Sequence, residues 1–274
     1  TWMVCEEVKP KDTVAASSRI LHHHADSKLF NQKGLSDFNY CSVIGMLNYL
    51  DKGSRSDIAY ATHQCARFVQ DPKVEHGNAV RWLVKYLKGT RDKGMVFCPN
   101  LDSGLEVFVD ADFAGNWNKD KAVTDHDTAC SRHGYIIRYA GCPIVWKSQL
   151  QNEICLSSTE SEYTGLSYAL RDAIPIMELL KEMKRYSVPV TKSKAKVHCK
   201  VFEDNSGALE MAKTFKYQPR TKHLNVKLHH FRSYVESRQI SIHPIDTSQQ
   251  LADYLTKPVN FDILSKLRKV VMGW

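Results

Sequence analysis

Residues 105–112, Leu105-Glu106-Val107-Phe108-Val109-Asp110-Ala111-Asp112, carry the pattern on which the fold turns. Side chains alternate faces along a strand, so Val107 and Val109 share one face while Phe108, Asp110 and Asp112 share the other. A strand is therefore expected over Leu105–Asp110, buried on the valine face and ending on a carboxylate.

Moving downstream, Gly134–Tyr139, Ile154–Ser157, Val197–Phe202 and Ile240–Ile245 form four more short β-type runs. Ser157, Ser158 and Thr159 precede Glu160 and Glu162, a capping-box pattern that opens a long helix towards Lys184, kinked or split at Pro175. Short helices are expected around Ala208–Ala212 and over Gln249–Thr256, before Pro258. Three strands, then helix, strand, helix, strand and helix describe an α/β layer with a mixed sheet.

Upstream the period changes to that of helices. Val43, Ile44, Leu47 and Leu50 form one stripe, and Ile58, Ala61, Cys65, Phe68 and Val69 another, with Ser56 and Asp57 as caps. A third helix has Asp71 as N-cap, Pro72 at its first position, the stripe Val80, Leu83, Val84, Leu87, and Gly89 as its stop. Two domains are expected: a helical unit over 1–90 and a sheet-containing unit over 91–274, with 89–100 as the linker.

Composition limits the function classes. The 274 residues are 43% hydrophobic and 25% charged, with net charge +8, enough to bury a core and to meet a polyanion if the charge clusters. No apolar run approaches a membrane span, and the N-terminus lacks the order of a secretory signal, so an intracellular protein without membrane contact is expected. The eight cysteines are scattered without Cys-x-x-Cys pairs, the pattern of reduced thiols. His22, His23 and His24, and the Asp120, Asp125, His126 and Asp127 of the 116–133 loop, are expected to be solvated. Since the chain begins with Thr1, a processed or truncated fragment is expected.

Four acidic residues stand at strand ends or helix starts: Asp110, Glu160, Asp204 and Asp253. Two have a bland explanation: Glu160 as a favourable charge in the first turn of a helix, and Asp204 as a turn residue before Asn205. Together at strand ends, where open α/β sheets gather ligands, the four repel one another unless a hard cation such as Mg²⁺ lies between them. Two such ions activate water and stabilise the leaving oxygen of a phosphodiester displacement.

The strings Val109–Gly115, Leu156–Tyr163, Glu203–Ala208, Lys222 to His229 and Gln250–Pro258, with Tyr40–Leu50, Ser56–Ala61 and Trp82–Thr90 upstream, resemble the C-terminal part of Ty1/copia-type retrotransposon Pol polyproteins. That part comprises the reverse transcriptase connection and the RNase H domain. The resemblance implies an RNase H-like fold with a five-stranded mixed sheet flanked by helices, after a small helical unit. It implies hydrolysis of the RNA strand of RNA/DNA hybrids, leaving 3′-hydroxyl and 5′-phosphate ends. The implied metal-binding and catalytic set is Asp110, Glu160, Asp204 and Asp253, holding two Mg²⁺ ions that Mn²⁺ replaces. The order Asp, Glu, Asp, Asp differs from that of retroviral-type integrases, whose glutamate comes last. Retroviral enzymes usually carry a histidine on the loop before the last aspartate; here Thr247 stands near that place, while His243 lies earlier, on the expected strand. The implied partners are the hybrid and the reverse transcriptase portion of the same polyprotein, in a cytoplasmic virus-like particle or the nucleus.

Between Met211 and Val235, Lys213, Lys216, Arg220, Lys222, Lys227 and Arg232 occur with no acidic residue. Lys213, Lys216, Arg220, Lys222, His223 and Lys227 are the expected phosphate-contacting residues. No Asp-Asp pair of the polymerase type is present, so DNA synthesis by this chain is not expected. The alternative function is a catalytically inactive or host-recruited nucleic-acid-binding remnant, which binds hybrids without cutting them.

Overall fold

The computed structural model describes residues 11–15, 21–22, 28–30, 38–191, 196–213 and 230–274. They belong to two compact units, one of residues 97–113 and 131–256, the other of residues 1–96, 114–130 and 257–274.

The first unit is built on a five-stranded sheet of order β3-β2-β1-β4-β5. Strand β1 (Leu105–Asp112) lies at its centre, antiparallel to β2 (Arg132–Tyr139) and parallel to β4 (Cys199–Glu203), which is parallel to β5 (Ile240–Pro244). This is the expected five-stranded mixed sheet. The expected strand at Ile154–Ser157 does not form; β3 is Cys142–Leu150, paired antiparallel with β2. The reason is the turn between them: Ala140 (φ 53) and Gly141 (φ 80) both adopt the left-handed conformation of a two-residue hairpin loop whose twist suits antiparallel strands.

Helix α4 (Ser158–Arg185) covers one face of β1 and β2. Its stripe Tyr163, Leu166, Ala169, Leu170, Ala173 and Met177 packs in one core with Leu105, Val107 and Val109, as the alternation in β1 requires. Full burial of each large side chain in that core contributes about 1.5–3 kcal/mol. Pro175 neither splits nor ends α4, because it lies on the exposed side of the helix. Helix α5 (Ser206–Lys213) follows β4, and α6 (Asp253–Thr256) packs against β1 and β2. The expected helix over Gln249–Thr256 is resolved into a 3₁₀ turn at Thr247–Gln249 and the short α6. Gly134 permits α6 to approach: a Cβ there would lie 2.6 Å from the Leu255 Cβ.

The second unit contains α1 (Tyr40–Ser54), α2 (Ala59–Ala66), α3 (Val74–Gly89) and α7 (Phe261–Met272). Ser56 and Asp57 lie in a 3₁₀ turn and do not cap α2. Asp57 is buried and takes two hydrogen bonds from Arg55, at 2.9 and 2.8 Å, and one from the Tyr86 hydroxyl at 2.6 Å. Arg268 of α7 donates to the same hydroxyl at 2.9 Å. Helix α3 starts at Val74, so Asp71 is not its cap; Asp71 pairs instead with the Lys73 ammonium at 2.9 Å. Residues 114–130 and 257–274, expected within the sheet-containing unit, pack with these helices. Helix α7, unforeseen in the sequence, has an Asn260 cap that accepts from Ile263 N–H and a left-handed Gly273 stop. Among the described residues, no helix is long and apolar enough to cross a membrane.

Candidate active site

Three carboxylates meet at the strand ends of the sheet-containing unit. Asp110, Glu162 and Asp204 each bring an oxygen to within 4.8 Å of the other two. Asp110 lies near the end of β1, Asp204 directly follows β4, and Glu162 lies in the first turns of α4. Parallel pairing of β1 with β4 brings their C-terminal ends together, and α4 starts above them.

The expected Glu160 is replaced in this group by Glu162. Ser157 caps α4 by accepting from the Glu160 N–H at 3.1 Å, and the Glu160 carboxylate turns back to accept from the Leu156 N–H at 2.8 Å. Its side chain is thus committed to the start of the helix. Glu162 lies on the buried stripe, one turn before Gly165 and Leu166, which directs its carboxylate towards the strands. Helical spacing was the signal for it in the sequence.

Neighbouring groups hold the carboxylates in place. The Thr256 hydroxyl donates to Asp110 Oδ2, and Thr247 donates to Asp204 Oδ2 at 2.8 Å. Thr247 therefore orients an acidic member of the site. The buried Gln250 amide donates to the Val109 carbonyl at 2.8 Å, fastening the turn before α6 to β1. Asp253 is buried as the first residue of α6, three residues before Thr256, and lies outside the three-carboxylate group.

A further acidic residue, Glu203, was not expected here. It ends β4 on the same face as Val201, fully buried; one oxygen accepts from Asn205 N–H at 3.1 Å and Oε2 has no hydrogen-bond partner. Burial, then the charge of Glu203 and those of Asp110 and Asp204, push the Glu162 carboxyl far above the usual carboxylate range. Burial does the same to Glu203, aided by Asp204 and Asp110. Glu162 Oε2 is also buried without a hydrogen-bond partner. An all-oxygen donor set, mutually repelling and partly unsatisfied, fits a hard divalent cation such as Mg²⁺.

Of the expected phosphate-contacting residues, Lys213 is exposed at the C-terminus of α5. Lys216, Arg220, Lys222, His223 and Lys227 lie outside the described residues.

No family model matches the chain. It is 31% identical over 255 residues to the retrovirus-related Pol polyprotein from transposon TNT 1-94 of Nicotiana tabacum, covering 93% of this chain and 18% of that protein. It is 31% identical over 253 residues to the Pol polyprotein from transposon RE2 of Arabidopsis thaliana, covering 92% of this chain and 16% of the relative. The chain thus spans less than a fifth of the length of these relatives. Among solved structures, LC11-RNase H1 in complex with an RNA/DNA hybrid matches with 15% identity and a TM-score of 0.34, over 55% of this chain and 92% of that one.

Proposed function

The chain belongs to the Ty1/copia-type retrotransposon Pol polyproteins, and we propose that it is their RNase H portion with the preceding connection, hydrolysing the RNA strand of RNA/DNA hybrids. The observation that carries this reading is the convergence of Asp110, Glu162 and Asp204 at the ends of the sheet. These three would hold two Mg²⁺ or Mn²⁺ ions, with Asp253 of α6 the further ligand that the resemblance implies. When bound, such ions polarise the scissile phosphate and lower the pKa of a bound water.

The protein's own part is to fix the acidic groups. Thr256 restrains Asp110 and Thr247 restrains Asp204, while a backbone N–H from Ala111 holds Glu162. Burial of Asp110 and Glu162 keeps water from screening the site's charge. The 2′-hydroxyls of the RNA strand, displayed in a shallow minor groove, distinguish it from DNA. Lys213 and the basic residues that follow it supply phosphate contacts, and the reverse transcriptase portion of the polyprotein adds its own hold on the hybrid.

A labelled RNA/DNA hybrid incubated with purified protein and Mg²⁺ or Mn²⁺ tests the proposal. Cleavage that disappears in Asp110→Asn supports it. Salt-sensitive binding without cleavage, unchanged by Asp110→Asn, would show a binding remnant instead.

A further inference from the structure

A second cluster of ligating side chains has chemistry unlike that of the carboxylate site. His126, Asp127 and Cys130 each bring one ligand atom to within 4.8 Å of the others. All three lie in the 114–130 segment, which packs within the helical unit.

Local structure explains why they converge. Asp125 caps the 3₁₀ turn His126–Thr128 by accepting from the Asp127 N–H, and the Cys130 N–H donates to the Asp127 carbonyl at 3.3 Å. Positions 126 and 130 are thereby about one turn apart, and the His126 Nδ1 stands 3.6 Å from the Cys130 Sγ. Two ligands bound to one Zn²⁺ at about 2.0–2.1 Å (nitrogen) and about 2.3 Å (sulfur), separated by a tetrahedral angle, also lie about 3.6 Å apart. The spacing is that of a pair already placed for a tetrahedral ion.

We propose that His126, Asp127 and Cys130 form a Zn²⁺ site with three protein ligands and one position left to water. The nitrogen, sulfur and carboxylate set suits Zn²⁺ and disfavours Mg²⁺, which seeks oxygen alone. On binding, the Cys130 thiol gives its proton to solvent; thiolate and carboxylate then balance the two charges of the ion.

An outer partner is present as well. Arg67 of the α2 C-terminus donates through Nε and Nη2 to Asp127 Oδ2, at 3.1 and 2.9 Å, and fixes that carboxylate. Asp125, expected to be solvated, is buried and faces His22 at 3.6 Å, fastening the residue before the cluster. Exposure of His126 gives the ion an entry path, while Cys130 is 4% exposed. Bound Zn²⁺ would lock the 114–130 segment to α2 through Arg67.

Titration of the reduced, chelator-treated full chain with Co²⁺ tests the site, because sulfur ligation produces a thiolate-to-cobalt charge-transfer band. One equivalent of Co²⁺ is expected to saturate the band, with Zn²⁺ displacing it and excess Mg²⁺ leaving it intact. Cys130→Ser is expected to abolish the band and His126→Ala, altering an exposed side chain, to weaken Co²⁺ binding by at least about tenfold. Arg67→Met is expected to weaken binding about tenfold through loss of the outer partner. Asp110→Asn and Cys41→Ser should leave the band unchanged, which separates it from the carboxylate site. Absence of the band in the wild-type chain, its persistence at full strength in Cys130→Ser, or Co²⁺ binding unchanged in His126→Ala would overturn the proposal.

Discussion

The Thr256 hydroxyl donates a hydrogen bond to the Asp110 carboxylate, linking the helix that begins with Asp253 to the central strand of the sheet. Both groups are buried, so an unreplaced bond to this carboxylate costs more than a surface one. Thr256→Val keeps the shape and deletes the donor. It is expected to destabilise the chelator-treated protein by about 1.5–3 kcal/mol and to lower hybrid cleavage. Thr256→Ser keeps the donor and should recover most of both. Denaturant unfolding of the two variants, with cleavage rates, checks this; equal losses in Val and Ser variants would assign the effect to packing.

Glu160 and Glu162 are separated by one residue, Ser161, and have different tasks. Glu162→Gln is expected to abolish cleavage while leaving stability without metal at or above the wild-type level, because it removes one of several repelling buried carboxylates. Glu160→Gln should retain cleavage and cost no more than about 1 kcal/mol, since a glutamine at that position can still accept from the helix-entry N–H. Cleavage assays and thermal unfolding of the pair decide between them. Activity lost in Glu160→Gln and kept in Glu162→Gln would return the site to the assignment expected from sequence.

The difference between what local pattern shows and what packing selects is visible in particular elements. The alternation of Val107 and Val109 against Phe108 and Asp110 made β1 legible, as β1 is buried on the α4 side as that pattern requires. Glu162 was legible too, through its spacing to Leu166 and Ala169, but the capping pattern around Ser157 drew attention to Glu160. Strand β3 was missed although Ile144, Val145 and Trp146 are strand formers, because Pro143 interrupts the run and its place is set by a turn at Ala140 and Gly141. The division into units could not be read locally at all. Residues 114–130 and 257–274 join the helices through Arg67 with Asp127 and Tyr86 with Arg268, contacts between positions far apart in sequence.

Those contacts give the helical unit its own test. The Tyr86 hydroxyl donates to Asp57 and accepts from Arg268, with Arg55 on the same carboxylate. Tyr86→Phe removes the link and is expected to cost about 1–3 kcal/mol. Asp57→Asn leaves Arg55 without its charge partner in a buried setting and is expected to cost more, about 3–5 kcal/mol. Chemical denaturation of both variants checks the order; an equal or reversed order would mean that the ion pair contributes little beyond the tyrosine bond.

The crowded carboxylates also set a pH dependence with a definite sign. Glu162 and Glu203 hold their protons more tightly folded than unfolded, because burial and neighbouring charge disfavour their ionised forms. Above the unfolded carboxylate value of about 4.3, the folded state therefore binds more protons than the unfolded state, and stability falls as pH rises. In chelator, the contribution of these groups is fully present below about pH 4.3 and is lost as pH climbs through their raised folded values. Between about pH 5 and pH 8 the loss should be on the order of 1–3 kcal/mol. Saturating Mg²⁺ supplies the missing positive charge and should flatten the slope, because a cation then replaces the proton as the partner of the carboxylates. Unfolding measured across that range with and without Mg²⁺ reads this directly. A double variant Glu162→Gln, Glu203→Gln should lose most of the slope in chelator; if it keeps the wild-type slope, the pH dependence comes from groups elsewhere in the chain.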